Sequence, residues 1–198
     1  MRQTLFILAL LSSASALAQA PIQSSVPVIN DANIDNSGAQ YQGNFSVNQA
    51  AGDGQQQANA RAIATGHEAT AITQIRQRQA SIVDPNMGAS ASIQGNAFSH
   101  GSGALGINQS AGAATQQANA LRISISISTQ PQSIDDSVLL QQNVALINSS
   151  DPADTSPGYR HVTTGDQAFT GSRGVIQLNQ SAGVGNQTAN TLSVRVAN

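Results

Sequence analysis

Apolar positions in this chain recur at every second residue, over short runs that come in pairs. Phe45/Val47, Leu105/Ile107 and Ile176/Leu178 each precede an Asn-Gln pair, and Ile63, Leu121/Ile123/Ile125 and Leu192/Val194/Val196 follow a Gln-rich centre. Period two predicts strands, since a helix would repeat its apolar positions every three or four residues. Between the paired runs lie Gly52-Asp53-Gly54, Gly112-Ala113-Ala114 and Gly183-Val184-Gly185. Glycine admits positive φ, so each unit reads as strand, tight turn, strand, with Gly52, Gly54, Gly112, Gly183 and Gly185 as turn residues. Ala114 stands at the second glycine position of the middle copy, so the pattern alone assigns no single turn type.

The unit occurs three times without a gap, at 45–63, 105–123 and 176–194. Such a repeat predicts an all-β fold of three imperfect strand-turn-strand repeats, stacked as a β-solenoid or cross-β array with irregular connectors. Its apolar face would be Val47, Ile63, Ile107, Leu121, Ile123, Leu178, Leu192 and Val194. The second and third copies share a lead-in, Ala97-Phe98 and Ala168-Phe169, where the first copy has Gly38. The chain then divides into a signal peptide (1–18), a flexible leader (19–37), repeat 1 (38–65), a connector (66–95), repeat 2 (96–128), a connector (129–166) and repeat 3 (167–198). Residues 71–79 and 138–147 carry enough alternation to add strands within the connectors. Asp84-Pro85-Asn86 reads as a turn, Gln130-Pro131-Gln132 as a stop and 149–158 as a loop.

The alternation also positions the amides. Counting by twos from Ile107 reaches Gln109, and counting back from Leu121 reaches Asn119; the same holds for Gln49 and Asn59, and for Gln180 and Asn190. Each amide therefore lies on the aliphatic side of its strand. A buried amide is costly unless its donors and acceptors are paired. Stacking like amides above one another pairs them, which makes Gln49, Asn59, Gln109, Asn119, Gln180 and Asn190 a candidate assembly ladder. Whether the two strands of a unit form a hairpin or an arch, and whether stacking is within one chain or between chains, stays open at this level.

Composition changes the picture in two ways. Only 9% of the 198 residues are charged and 3% are aromatic, with no Cys, Trp or Lys. So few large side chains build no thick core, and an exported chain without disulfides needs another source of stability, for which backbone ladders are the natural candidate. Export itself is read from the start. Arg2 gives a positive n-region, Leu5 to Leu11 an apolar segment too short to span a membrane, and Ala16-Leu17-Ala18 a small-x-small cleavage site. The formal charge of −2 argues against nucleic acid or an anionic membrane as partner.

No catalytic set emerges. His67, His100 and His161 are far apart, with no metal-ligand neighbour at strand or helix spacing, and read as exposed loop histidines. Asp135 and Asp136 would point to opposite faces of a strand. The glycine pairs are too short for a phosphate cradle, and no nucleophile motif is present. The reading is therefore non-enzymatic, without cofactor or metal. Arg61, Arg76 and Arg78 suit a gatekeeper role against premature edge pairing.

The motif Gly-x-x-x-(Val/Ile/Leu)-Asn-Gln-(Ala/Ser)-Ala-Gly-x-(Gly/Ala)-x-Gln-x-Ala-Asn, carried by Gly43 to Asn59, Gly103 to Asn119 and Gly174 to Asn190, resembles the repeat of the Fap functional amyloids of Pseudomonas and related bacteria. It is also similar to the Gln-, Gly- and Asn-spaced repeats of curli. The resemblance implies a subunit that leaves the periplasm through an outer-membrane pore and polymerises into cross-β fibres of the biofilm matrix, with itself or other amyloid subunits as partners. The chain lacks the Cys-x-x-Cys that resembles the tail of the major subunit, and its first repeat is degenerate; both departures favour a minor, nucleating or accessory component. The alternative is a soluble periplasmic or surface β-repeat protein that chaperones or binds fibre subunits, its repeats stacking only within one molecule.

Overall fold

The structure, a computed structural model, describes residues 28–84, 86–127, 142–148 and 158–197. The signal peptide, residues 19–27 of the leader, the Gln130–Gln132 stop, the Asp135-Asp136 pair and nearly all of the 149–158 loop lie outside the described residues. Among the described residues eleven strands form four parallel sheets, and there is no helix. They run β1 (Ile29–Asp35), β2 (Gln42–Ala51), β3 (Gln56–Gly66), β4 (Gln77–Val83), β5 (Gly88–Gln94), β6 (Ser102–Ala113), β7 (Gln116–Ser126), β8 (Gln142–Asn148), β9 (Arg160–Thr164), β10 (Arg173–Val184) and β11 (Gln187–Ala197).

Sheet A orders β1-β5-β9, sheet B β10-β6-β2, sheet C β11-β7-β3, and sheet D pairs β4 with β8. The chain thus coils as rungs: β1 to β4 make rung 1, β5 to β8 rung 2, and β9 to β11 rung 3. Register is kept at every level, so that Asn48, Asn108 and Asn179 align in sheet B, and Asn59, Asn119 and Asn190 in sheet C. The two strands of each repeat belong to different sheets. The unit is therefore an arch whose strands face each other through side chains, not a hydrogen-bonded hairpin.

The central strand of sheet B, β6, is buried on both faces. Toward sheet A it presents Leu105 and Ile107, which pack with Ile34, Ile93 and Phe98, and Ala111, which meets Ala32, Ala89 and Ala91. Toward sheet C it presents the small and polar alternates, Gly106, Asn108 and Ser110. Sheet C in turn packs Ala118 and Ala120 on Ile75. Alanine dominates two of these clusters, so the layers approach closely and the thin core is spread over several interfaces.

Two of the outer sheets differ from the sequence expectation. Residues 29–35, read as leader, form β1: Ala32 and Ile34 are its buried alternates, and the intervening Asp31, Asn33 and Asp35 mask them by composition. The connectors supply β4, β5, β8 and β9. The strand expected at 71–79 begins only at Gln77 and runs on to Val83, and the described part of the second stretch forms β8. Among the expected apolar-face residues, Ile107 and Leu121 are buried, Val47 and Leu178 pack on the core, and Ile123 and Leu192 are half-buried. Val194 is exposed, and Ile63 more so at 71%.

Glycine positions follow from the stacking. Gly52, Gly112 and Gly183 have φ of 103°, 114° and 127°, and Gly54, Ala114 and Gly185 of 62°, 53° and 70°, so Ala114 adopts the turn of its glycine counterparts. A Cβ on Gly112 would lie 1.9 Å from the carbonyl oxygen of Gly183 in the next rung. The lead-in shows the same levelling: Gly38, Phe98 and Phe169 all have positive φ, and the Phe98 and Phe169 rings stack at 5.5 Å. In rung 1 Phe45 replaces the corner aromatic, tilted against Phe98 at 6.4 Å.

The glycine geometry predicts a contrast. Gly112→Ala combines left-handed strain with a backbone clash and should cost on the order of 3 kcal/mol or more. Gly43→Ala, whose Cβ meets nothing within 4 Å, should cost only the left-handed strain, about 1 kcal/mol. Urea denaturation of the two variants measures the difference directly.

Candidate functional site: amide ladders and the open ends of the stack

The glutamines of the Asn-Gln pairs lie between sheets A and B. Gln109 donates to Gln49 Oε1 at 2.8 Å, and Gln180 donates to Gln109 Oε1 at 2.8 Å. Each also bonds sideways to sheet A: Gln49 to Asn33 O at 2.7 Å, Gln109 to Ala32 O and Ser92 O at 3.0 and 2.8 Å, and Gln180 to Ala91 O and Thr163 O at 3.1 and 3.0 Å. Gln109 is completely buried. Its cost of desolvation is offset because its polar atoms meet partners both along the stack and across it.

The asparagines of sheet C lie in the other interface, inside the arch. Asn119 donates to Asn59 Oδ1 at 2.9 Å, Asn190 to Asn119 Oδ1 at 3.2 Å. Gln109 and Asn119 therefore each accompany the aliphatic residues of their own strand, but they face different sheets. The residue opposite Asn119 is Asn108, whose Oδ1 accepts from it at 3.1 Å.

This exposes a set that the counting by twos left aside. Asn48, Asn108 and Asn179 form their own ladder, with Asn108 donating to Asn48 Oδ1 and Asn179 to Asn108 Oδ1, both at 2.9 Å. Gln57 and Gln117 lace the arch as well: Gln117 donates to Gln109 O at 2.9 Å and to Ser181 Oγ at 3.0 Å, and Gln57 does the equivalent with Gln49 O and Ser110 Oγ. The signal for both sets was in the repeat, since Asn recurs in all three copies before Gln.

The ladders have a direction. In the Asn48, Gln49 and Asn59 columns every axial bond is donated from a later rung to an earlier one. Gln116 donates to Gln56 in the same sense, whereas the Gln57 column runs forward, Gln57 to Gln117 Oε1 at 3.0 Å and Gln117 to Ser181 Oγ at 3.0 Å. In the Asn48, Gln49 and Asn59 columns the rung 1 end consequently presents amide N–H groups and the rung 3 end amide oxygens. Asn48 shows the effect most clearly. Its counterparts donate to two acceptors in the preceding rung, Asn108 to Asn48 Oδ1 and Ala58 O, whereas Asn48 is exposed with no rung before it. The middle rung, with Asn108, Gln109 and Asn119 at most 1% exposed, is what an end rung becomes when another rung covers it.

The remaining candidates take simpler places. His67, His100 and His161 are all exposed, His161 in β9 instead of a loop. Arg61 enters the arch of rung 1, and its partial burial pulls the guanidinium below its ordinary pKa. Arg76 and Arg78 are exposed beside and within β4.

Comparison with known proteins gives one family. The family model of the functional amyloid protein FapB/FapC family matches residues 11–197. No solved structure matches the chain.

Two substitutions at Asn119 separate packing from polarity. Asn119→Leu removes donors from Asn59 Oδ1, Asn108 Oδ1 and Ile107 O, and should destabilise the chain by about 3 kcal/mol in urea. Asn119→Asp places an acid in the same buried site, where desolvation raises its pKa above the unfolded value near ~4. Its neutral form can still donate. Stability relative to the parent chain should therefore be best preserved at acid pH and fall as pH rises from about 4 upward, as paired urea titrations across pH would register.

Proposed function

The chain belongs to the functional amyloid protein FapB/FapC family, and on that premise we propose that it is an exported structural protein, a subunit or nucleator of extracellular amyloid fibres in the biofilm matrix. It would cross the outer membrane through a pore and then assemble by adding rungs at the ends of its own stack. The observation that carries this reading is the directional amide ladder with incomplete ends. One end offers donors, the other acceptors, in the same columns, and among the described residues neither the N–H groups of the first rung nor the oxygens of the last have axial partners. Extending the stack pairs both sets, adds strand to strand along all of sheets A, B and C, and covers edges that natural β proteins normally protect. The role is structural, without a catalytic step or cofactor.

One observation favours the second reading, a soluble accessory protein that binds or chaperones subunits: the three repeats already stack on each other inside one molecule. The two readings separate in a single experiment. The chain from Gln19 onward is incubated without agitation, followed by thioflavin fluorescence and examined by fibre diffraction. A fibre-forming chain gives reflections near ~4.7 and ~10 Å, the strand and sheet spacings. A solution that stays clear and monomeric in sedimentation after days, both alone and mixed with another repeat chain of the family, would reject the subunit reading in favour of the accessory one.

A further inference from the structure

The two ends of the stack are unequal in ways the ladders do not require. At the mouth of the arch, between sheets B and C, three columns change character at rung 1. Asn44, Ala104 and Val175 form one column, Ser46, Gly106 and Gln177 the second, and Arg61, Leu121 and Leu192 the third. Arg61 thus stands where the other rungs place leucine. Its guanidinium donates to Asn44 Oδ1, Ser46 Oγ and Phe45 O, all within its own rung. It also leans over Gly106, where a Cβ would lie 2.5 Å from Nη2. Rung 1 closes its own arch with a cation and supplies that cation's acceptors itself.

The corner between sheets A and B differs independently. Each corner ring reaches into the level of the rung before it: Phe169 stacks on Phe98, and the Phe98 ring comes within 2.6 Å of where a Cβ on Gly38 would be. Rung 1 has Gly38 at that corner and so no ring to extend to an earlier rung. A hollow of about 320 Å³ lies there instead, lined by residues that include Ile34, Gly38, Phe45 and Phe98. At the other end a groove of about 600 Å³ opens between β10 and β11, lined by residues that include Val175, Gln177, Asn190 and Leu192. Phe169 stands half-buried at its own corner. This end is shaped to receive a rung with an aromatic at the corner and an aliphatic side chain at the arch mouth.

We infer that the rung 3 end docks a different repeat chain, one whose contacting rung carries an aromatic at the Phe98 corner and an aliphatic residue in the Leu121 column, and that Arg61 and Gly38 make rung 1 a terminus. A second copy of this chain fits poorly, because its rung 1 would set an arginine over Leu192 and leave the Phe169 ring uncovered. Covering a charge without a new partner opposes association. The chain then acts as a starter at one end of a stack continued by another protein. This inference rests on the proposed stacking function and adds its direction and its partner.

The test uses the chain from Gln19 onward and a probe made from the chain itself. The triple variant Gly38→Phe, Phe45→Leu, Arg61→Leu gives rung 1 the side chains of rung 2 at these columns. Circular dichroism and urea midpoints establish that each variant folds. Assembly is read by sedimentation and thioflavin fluorescence. Arg61→Leu alone should speed self-assembly by about tenfold, the triple variant should exceed it, and Arg61→Lys should match the parent. Adding Leu192→Arg, a residue that rung 1 already tolerates in this column, should return the triple variant to the parent rate. Equal rates for the parent, Arg61→Leu and the triple variant, with fibres formed by all, would overturn the terminus while leaving the stacking function intact. A triple variant still fast after Leu192→Arg would overturn rung 3 as the docking end. Failure of every folded variant to assemble would remove the stacking function and this inference with it.

Discussion

Everything in this molecule depends on how a carboxamide divides its hydrogen bonds. Each ladder amide has two N–H groups and an oxygen, and here they are split between two directions, one along the stack to the like residue and one across to a neighbouring sheet. Gln109 does this between sheets A and B, and Asn119 does it between B and C. The axial half sets the register, because an asparagine of sheet C displaced by one residue would face alanine or threonine. The lateral half ties sheet to sheet, a task that a larger hydrophobic core performs in most domains. With 3% aromatic residues and alanine clusters at the interfaces, apolar burial alone would leave the layers weakly specified.

Much of this was legible in the residues. Ungapped repetition and period-two runs lead to stacked strands, and the aligned Asn and Gln columns are the alignment of the copies themselves. What could not be read was depth. Alternation such as Leu105-Gly106-Ile107-Asn108-Gln109 describes a half-buried strand as well as one enclosed on both sides, and only the presence of sheet C decides that Asn108 is interior. The outer strands were hidden for a different reason. Ile29–Asp35 carries just two small or medium apolar side chains toward the core, and its acidic and amide residues resemble a loop in composition. Its pairing with β5 is set by the rung above it, a long-range constraint with no local signature. The hairpin-or-arch question has the same character, since one turn sequence serves both and the stacking partner settles it.

Backbone proximity is the counterpart of the amide ladders. Left-handed residues recur at the same height in every rung, and at Gly112 the next chain level passes so close that a methyl group has no room. Glycine here answers to the strand spacing of about 4.8 Å more than to the turn. Ala114 shows the converse: the same left-handed turn is tolerated with a side chain where that side chain finds Val83 and Ala113 to pack against.

The rungs are locked in register although the spacing between them is uneven. Asn48 and Asn108 are 60 residues apart, Asn108 and Asn179 are 71 apart, and sheets B and C absorb the difference without a bulge. The pairing of Ala89 with Arg160 already carries the longer interval, so the surplus residues all fall between β7 and β9. The added length leaves the pairing in sheets A, B and C unchanged. For protein engineering this makes the segment between β7 and β9 a natural insertion site. An enzyme, epitope or metal-binding peptide spliced in on either side of β8 would add length where the chain already varies, while the columns that align the rungs keep their pairing.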